Sequence, residues 1–519
     1  MKTQTRGERP DYEVLVVGAG FGGIGMGIRL RNAGIDNFII LEQAGDIGGT
    51  WRDNTYPGVA VDVSSFMYSF SFEQNPNWSR AYAPGEELKA YADHCADKYR
   101  LRSKIRLNTK VTGSEFDENQ HLWRVSLDSG GILTTRYLIL GVGALTQPKL
   151  PDIPGVSDFA GKTMHTARWD HDCDLDGKRV AVIGTGATAV QVVPAIAKAV
   201  ARLDVYQRTP IWCGPKPDLL IPDLLKAVFR WVPLAQSSAR MAVSAATEAV
   251  MTLGIVHHKQ VPLLVEKIES ACIAHLHKQV PDPELREKLT PKYGFGCKRP
   301  SFSNDYYATF TRDNVELVTD SIQRITTDGI VTADGCRREI DTLILATGFK
   351  VFERGNTPPF PVYGRGGVEI GQWWDQNRYQ AYQGIALPLM PNAFSITGPY
   401  GFTGASYFQL IENQTRHALR CIESARRRKA TYIAVSQDAH DRYFRWALSR
   451  TSDTVFYNSC AGSNSYYFDK HGDTPLLRPS SAVSAWWDSR NFSLKDYRFE
   501  SLSTLRVTGS PPVDVEASA

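Results

Sequence analysis

At 519 residues, with 42% apolar and 22% charged side chains, the sequence has the composition of a globular protein of two or more domains with sizeable cores. Its 59 basic and 55 acidic residues nearly cancel to a formal charge of +4, which gives no basis for a nucleic-acid partner. Eight cysteines are scattered without a CxxC pair or zinc-like spacing, which reads as mostly inert free thiols in a reducing cytoplasm.

The N-terminus, MKTQTRGERPDYE, is polar and lacks the apolar core of a signal peptide. YEVLVV then predicts a buried strand, followed by the turn GAGFGG, a helix running to Arg31 and stopped by Gly34, and a second strand FIIL that ends on Glu42. This is a G-x-G-x-x-G turn inside a strand–helix–strand unit with an acid at the end of the second strand. Gly18 permits the turn, Gly20 lets backbone approach a pyrophosphate, Gly23 lets helix and strand pack closely, and Glu42 can accept hydrogen bonds from ribose hydroxyls.

A second unit begins at RVAVI and turns through GTGATA, residues 184–189, with Ala189 in the third glycine's place. Its helix is expected to reach about Ala199, and the strand LDVYQ leads to Arg208. Arg208 follows Gly184 by 24 residues, the same offset that separates Glu42 from Gly18. A carboxylate there repels a 2′-phosphate, whereas a guanidinium binds one bidentately. The first loop therefore suits FAD and the second NADPH.

YLILGVG and TLILATG, at residues 137–143 and 342–348, are apolar strands ending in a glycine turn and bracket the second unit. The fold class expected is α/β, with two Rossmann-like dinucleotide-binding domains and a helical insertion. Residues 1–148 and 336–519 form a split FAD domain. Residues 149–218 and 290–335 form the NADPH domain, and residues 219–289 a helical subdomain beside the substrate cavity. The apolar stretch around Met241 to Val256 carries Glu248 and reads as a buried helix, so no transmembrane segment is expected. The last residues, GSPPVDVEASA, read as a frayed tail.

Two segments carry a family resemblance. FAGKTMHTARWD, residues 159–170, fits F-x-G-x-x-x-H-x-x-x-W-[PD], and GGTWRDNTYPGVAVD, residues 48–62, fits [AG]-G-x-W-x-x-x-x-[FY]-P-[GM]-x-x-x-D. With the paired loops, the GCKRP segment at residues 296–300 and the ATGF turn, the sequence resembles the Baeyer–Villiger monooxygenases from about Asp11 to beyond Tyr467. That resemblance implies a cycle in which NADPH reduces FAD, oxygen adds to form a flavin C4a-peroxide, and a ketone becomes an ester or lactone, with sulfoxidation as a side activity. It also implies roles for individual residues. Arg299 offsets negative charge on oxygen and Asp62 holds it in place. Lys298 joins Arg208 and Thr209 at the 2′-phosphate, Trp51 and Tyr68 line the flavin, and Val111 contributes backbone contacts to adenine. Phe21, Gly49 and Thr50 belong to the FAD loops, and Gly184, Thr185, Gly186, Ala187, Thr188 and Ala189 to the NADPH loop. His165 is expected to hold its linker by hydrogen bonds while Phe159 and Trp169 pack.

The partners expected are a ketone or sulfide and molecular oxygen, in the cytoplasm, and nothing in the sequence sets an oligomeric state. The competing reading is a flavin N- or S-monooxygenase acting on amines or thioethers, and a more distant one an electron-transfer flavoprotein. No metal site is expected. DCDLDG lacks the Glu that ends a calcium loop, and His257–His258 lack partners at ligand spacing. No C-x-x-x-x-C pair follows the first glycine loop, which argues against a flavin disulfide reductase. Where relatives carry a Trp in a mobile C-terminal segment, SNSYYF offers Tyr466 and Tyr467 instead, and no catalytic role is carried across there.

Overall fold

The computed structural model describes residues 9–458 and 460–502. The first eight residues of the polar N-terminus and the tail read as frayed lie outside the described residues.

The strand Tyr12–Val17 is central to an eight-stranded sheet, parallel to Phe38–Leu41 on one side and to Ile132–Leu140 on the other. Its run Val14–Val17 is apolar without alternation because both faces are covered there. Val14 and Val16 enter one core with the helix Phe21–Asn32, while Leu15 and Val17 enter another with Phe360 and Trp374. The second sheet has five parallel strands in the order Val315–Val318, Arg202–Tyr206, Arg179–Ile183, Thr342–Leu345 and Lys162–His165. The helix Ala187–Ile196 follows its central glycine turn and ends three residues before the expected Ala199. A small antiparallel sheet, Ile322–Thr326, Gly329–Thr332 and Arg337–Glu339, lies between its later strands in sequence.

The two bracketing strands do not belong to one sheet. Tyr137–Leu140 pairs with Tyr12–Val17, but Thr342–Leu345 pairs with Arg179–Ile183 and Lys162–His165. The boundary expected at residue 335/336 therefore moves beyond Leu345: strands of similar composition are told apart only by their partners. The two crossings run side by side, with Lys149 N donating to Gly348 O at 2.8 Å and Lys350 N to Gln147 O at 3.0 Å. His165 stands at this crossing. Its Nδ1 accepts from Ala167 N at 3.1 Å and its ring meets Phe349 edge-on at 6.1 Å. Phe159 is buried in the core of the second sheet, and Trp169 is half-buried.

Residues 223–289 are mainly helical: Asp223–Trp231, Ala235–Ala249 continuing as a π-helix to Val256, Pro262–Gln279 and Pro283–Leu289. The stretch read as a buried helix is a correction. The helix Ala235–Val256 is long and apolar enough to cross a membrane, yet only 17% of its most apolar window is buried. Six of the eight cysteines are free, as the reading of mostly free thiols expects, and Cys297 and Cys460 form a disulfide with Cα atoms 5.2 Å apart.

Candidate active site

A cavity of about 330 Å³ opens at the carboxyl end of the first sheet, lined by Gly18, Gly20, Phe21, Glu42, Gly49, Thr50, Trp51, Tyr68 and Val111 among others. Gly18 has φ +99°, and a β-carbon there would come within 2.7 Å of Gly141 O; one on Gly23 would come within 1.9 Å of Gly18 O. The turn therefore closes only on glycine, which brings the start of the helix Phe21–Asn32 hard against the strands. No side chain caps that helix, so its first N–H groups face the cavity mouth as an anion cradle. Glu42 is buried at the next strand's end, accepting from Ala19 N at 2.8 Å and Ala44 N at 3.0 Å and pairing with Arg52 at 3.0 Å. A glycine cradle with a carboxylate one strand away fits a dinucleotide with a free ribose.

The second loop repeats the cradle with the opposite charge. Gly184 has φ +114°, and the helix Ala187–Ile196 likewise has no side-chain cap at Gly186. Thr185 Oγ1 donates to Thr209 O at 2.9 Å, tying the loop to the segment that carries Arg208. Arg208 is exposed, and its charge reaches Lys298. Burial, and then this neighbouring guanidinium, push the Lys298 ammonium down to about 8. No carboxylate offsets Lys298 among the described residues. Two like charges left together favour an anion between them, as a 2′-phosphate supplies.

The segment 48–62 connects these two sites. Gly49 packs on Gly20 at the first loop, and Trp51 meets Tyr68 edge-on at 5.5 Å. Further on, Tyr56 OH donates to Gln191 Oε1 at 2.9 Å, and Gln191 Nε2 donates to Ala60 O at 3.0 Å. A β-carbon at Gly58 would lie 2.8 Å from Gln191 O. The chain is thus clamped to the helix of the second loop before it delivers Asp62.

Asp62 meets Arg299 in a bidentate pair, Nε to Oδ2 and Nη2 to Oδ1, both 2.6 Å. The pair lines no part of the cavity described above, but its charges act on Tyr68 and Tyr407, which do. Burial opposes ionisation of Asp62, yet the Arg299 guanidinium more than offsets it and holds the carboxyl below its usual range. Burial likewise opposes the Arg299 charge, and Asp62 reverses that, so both groups stay ionised. The Arg299 and Asp62 side chains are 30% and 24% exposed, and the Tyr466 hydroxyl stands within hydrogen-bonding reach of the same guanidinium.

Several residues at this site have no role that the sequence assigns. Tyr466 and Tyr467 lie beside Arg299, and burial holds both hydroxyls above the ordinary tyrosine range, so both are neutral. Their segment is held by the Cys297–Cys460 disulfide, one residue from Lys298, and by Asn464 Nδ2 donating to Thr209 Oγ1 at 3.0 Å. The cysteines are separated by 163 residues, so spacing gives no hint of the bond. Gln191 sits mid-helix, and only its contacts mark it.

A family model described as pyridine nucleotide-disulphide oxidoreductase matches residues 15–248. A Baeyer-Villiger monooxygenase of Pseudomonas aeruginosa is 40% identical over 459 residues, 88% of this chain and 85% of its own length. Another, of Streptomyces coelicolor, is 35% identical over 486 residues, 93% of this chain and 92% of that one. Among solved structures, an OTEMO complex with FAD and NADP has a TM-score of 0.82 at 26% identity, covering 95% of this chain and 100% of that chain.

Proposed function

The chain belongs to the Baeyer–Villiger monooxygenases, and on that premise we propose how its residues divide the reaction. The protein is an NADPH- and oxygen-dependent flavoenzyme that converts ketones to esters or lactones, with thioethers as a second substrate class. FAD, when bound, takes electrons from NADPH and delivers one atom of dioxygen to the substrate. Gly18, Gly20, Phe21, Gly23, Glu42, Gly49, Thr50, Trp51, Tyr68 and Val111 hold the FAD. Residues 184–189 with Arg208, Thr209 and Lys298 hold the NADPH. Arg299 supplies a permanent positive charge to oxygen as it becomes anionic, and Asp62 aims it.

The observation that carries this reading is the bidentate Asp62–Arg299 pair, at the end of a segment that touches both nucleotide loops. Residues 1–148 and those beyond Leu345 are assigned to the FAD domain, and the second sheet to NADPH. A cytosolic location follows from the need for NADPH. Product analysis with NADPH, oxygen and a panel of ketones tests the reading: ester or lactone supports it, and NADPH consumption without oxygenated product overturns it.

The purified protein should be yellow, and denaturation should release unmodified FAD into the filtrate. Flavin that stays on the polypeptide, or FMN in the filtrate, would contradict the cradle's assignment.

A pH dependence follows from Lys298. In the free enzyme its ammonium loses its proton near pH 8, so the 2′-phosphate loses one cationic partner as pH rises through that value. KM for NADPH should climb there with a slope of up to about tenfold per pH unit, while KM for NADH stays level. Lys298→Arg, which keeps its charge, should flatten the NADPH profile. A flat profile in the unmodified enzyme would remove Lys298 from the phosphate site.

A further inference from the structure

We propose that the outer faces of the helices Asp223–Trp231 and Ala235–Val256 form a docking surface for an anionic lipid bilayer. A helix on a globular protein normally turns its apolar stripe inward. Ala235–Val256 does the reverse. Its polar side chains are its anchors: Gln236 Nε2 donates to Asn75 O at 2.6 Å, and Arg240 Nη1 donates to Ser69 O at 2.9 Å and Phe66 O at 3.0 Å. Glu248 Oε1 accepts from Ala482 N at 2.6 Å. The outward face is Met241, Ala242, Ala245, Ala246, Ala249 and Leu253, all exposed and none charged.

The preceding helix and its flanks extend this surface. Leu219, Leu220, Leu224, Trp231 and Leu234 are each more than 70% exposed. Exposed apolar side chains in such number on adjoining elements mark an interaction surface. The internal anchors rule out a membrane-spanning role, because removing the helix would strand Arg240 and Glu248. They leave it free to lie in the plane of an interface, where an apolar face is stable and tryptophan is favoured.

The rim selects the lipid. Arg80, Lys226 and Arg230 border the patch against one exposed acid, Asp223, while Asp218 is largely buried and neutralised by Arg80 and the equally buried Lys216. An excess of cations beside an apolar face complements anionic headgroups. The same helix reaches the site from its inner side. Met251 packs on Gly404 so tightly that a β-carbon there would lie 2.1 Å from its Cε, and the following residues lead to Tyr407 at the cavity. A ketone dissolved in the bilayer would thus meet the enzyme one helix away from its chemistry.

Flotation of the full-length, FAD-loaded protein with phosphatidylcholine vesicles, with and without phosphatidylglycerol, tests this. The protein should float with the anionic vesicles at low salt and be released at high salt. Trp231→Glu and Met241→Glu should each abolish flotation, and Lys226→Glu should weaken it roughly fivefold or more. All three should keep FAD absorbance and NADPH oxidation, since the side chains are on the surface. Leu224→Ser serves as a milder variant if a glutamate disturbs folding. Three results would overturn the proposal: no flotation, equal flotation on both vesicle types, or a dimer in light scattering that the same substitutions dissociate.

Discussion

Arg299→Ala should retain FAD and still be reduced by NADPH, yet form ester roughly 10²–10³-fold more slowly, the loss typical of removing one preorganised donor from developing oxygen charge. The electrons then have another fate. Oxygen reoxidises the flavin unproductively, and hydrogen peroxide appears in place of ester. Asp62→Ala should shift the same balance by less, because it leaves the cation present but no longer held at two points 2.6 Å away. The readout is the ratio of ester to NADPH consumed, with flavin reduction and reoxidation followed separately by stopped-flow absorbance. An Arg299→Ala enzyme with unchanged coupling would show that the charge lies elsewhere. One slowed only in reduction would move Arg299 to the nicotinamide.

Arg208→Ala should narrow the preference for NADPH over NADH by roughly tenfold or more, since a charge-assisted bond to phosphate contributes about 1.5–3 kcal/mol. The loss should appear in KM for NADPH and leave NADH nearly unaffected, because NADH lacks the phosphate. Lys298 remains in the variant, relieved of the like charge that depresses its proton affinity, so some preference should survive. Unmodified enzyme that uses both cofactors equally would sink the assignment of both residues.

The parts of the fold that sequence made legible are those in which backbone geometry forces residue identity. Gly18 sits at positive φ against Gly141, and Gly23 against Gly18 O, so the first turn could be read from letters alone. Glu42 and Arg208 were legible for a related reason: the strand–helix–strand unit fixes which residue follows the second strand. Legibility fails where the choice is tertiary. TLIL and YLIL are alike in composition, and only register assigns one to each sheet. Hydropathy marks Ala235–Val256 as apolar but carries no sign of which way the apolar face points, and the inward-facing Gln236, Arg240 and Glu248 decide that. The Cys297–Cys460 bond and the Gln191 clamp join segments remote in the chain, so neither leaves a local pattern.

The central claim is that this chain inserts one atom of dioxygen beside a ketone carbonyl. It is tested most directly by mass analysis of products formed under ¹⁸O₂ with NADPH and a panel of cyclic and linear ketones. The account predicts an ester or lactone carrying a single ¹⁸O atom, at a yield that follows NADPH consumption. NADPH oxidised to hydrogen peroxide with every ketone and every sulfide, and no labelled product, would contradict it.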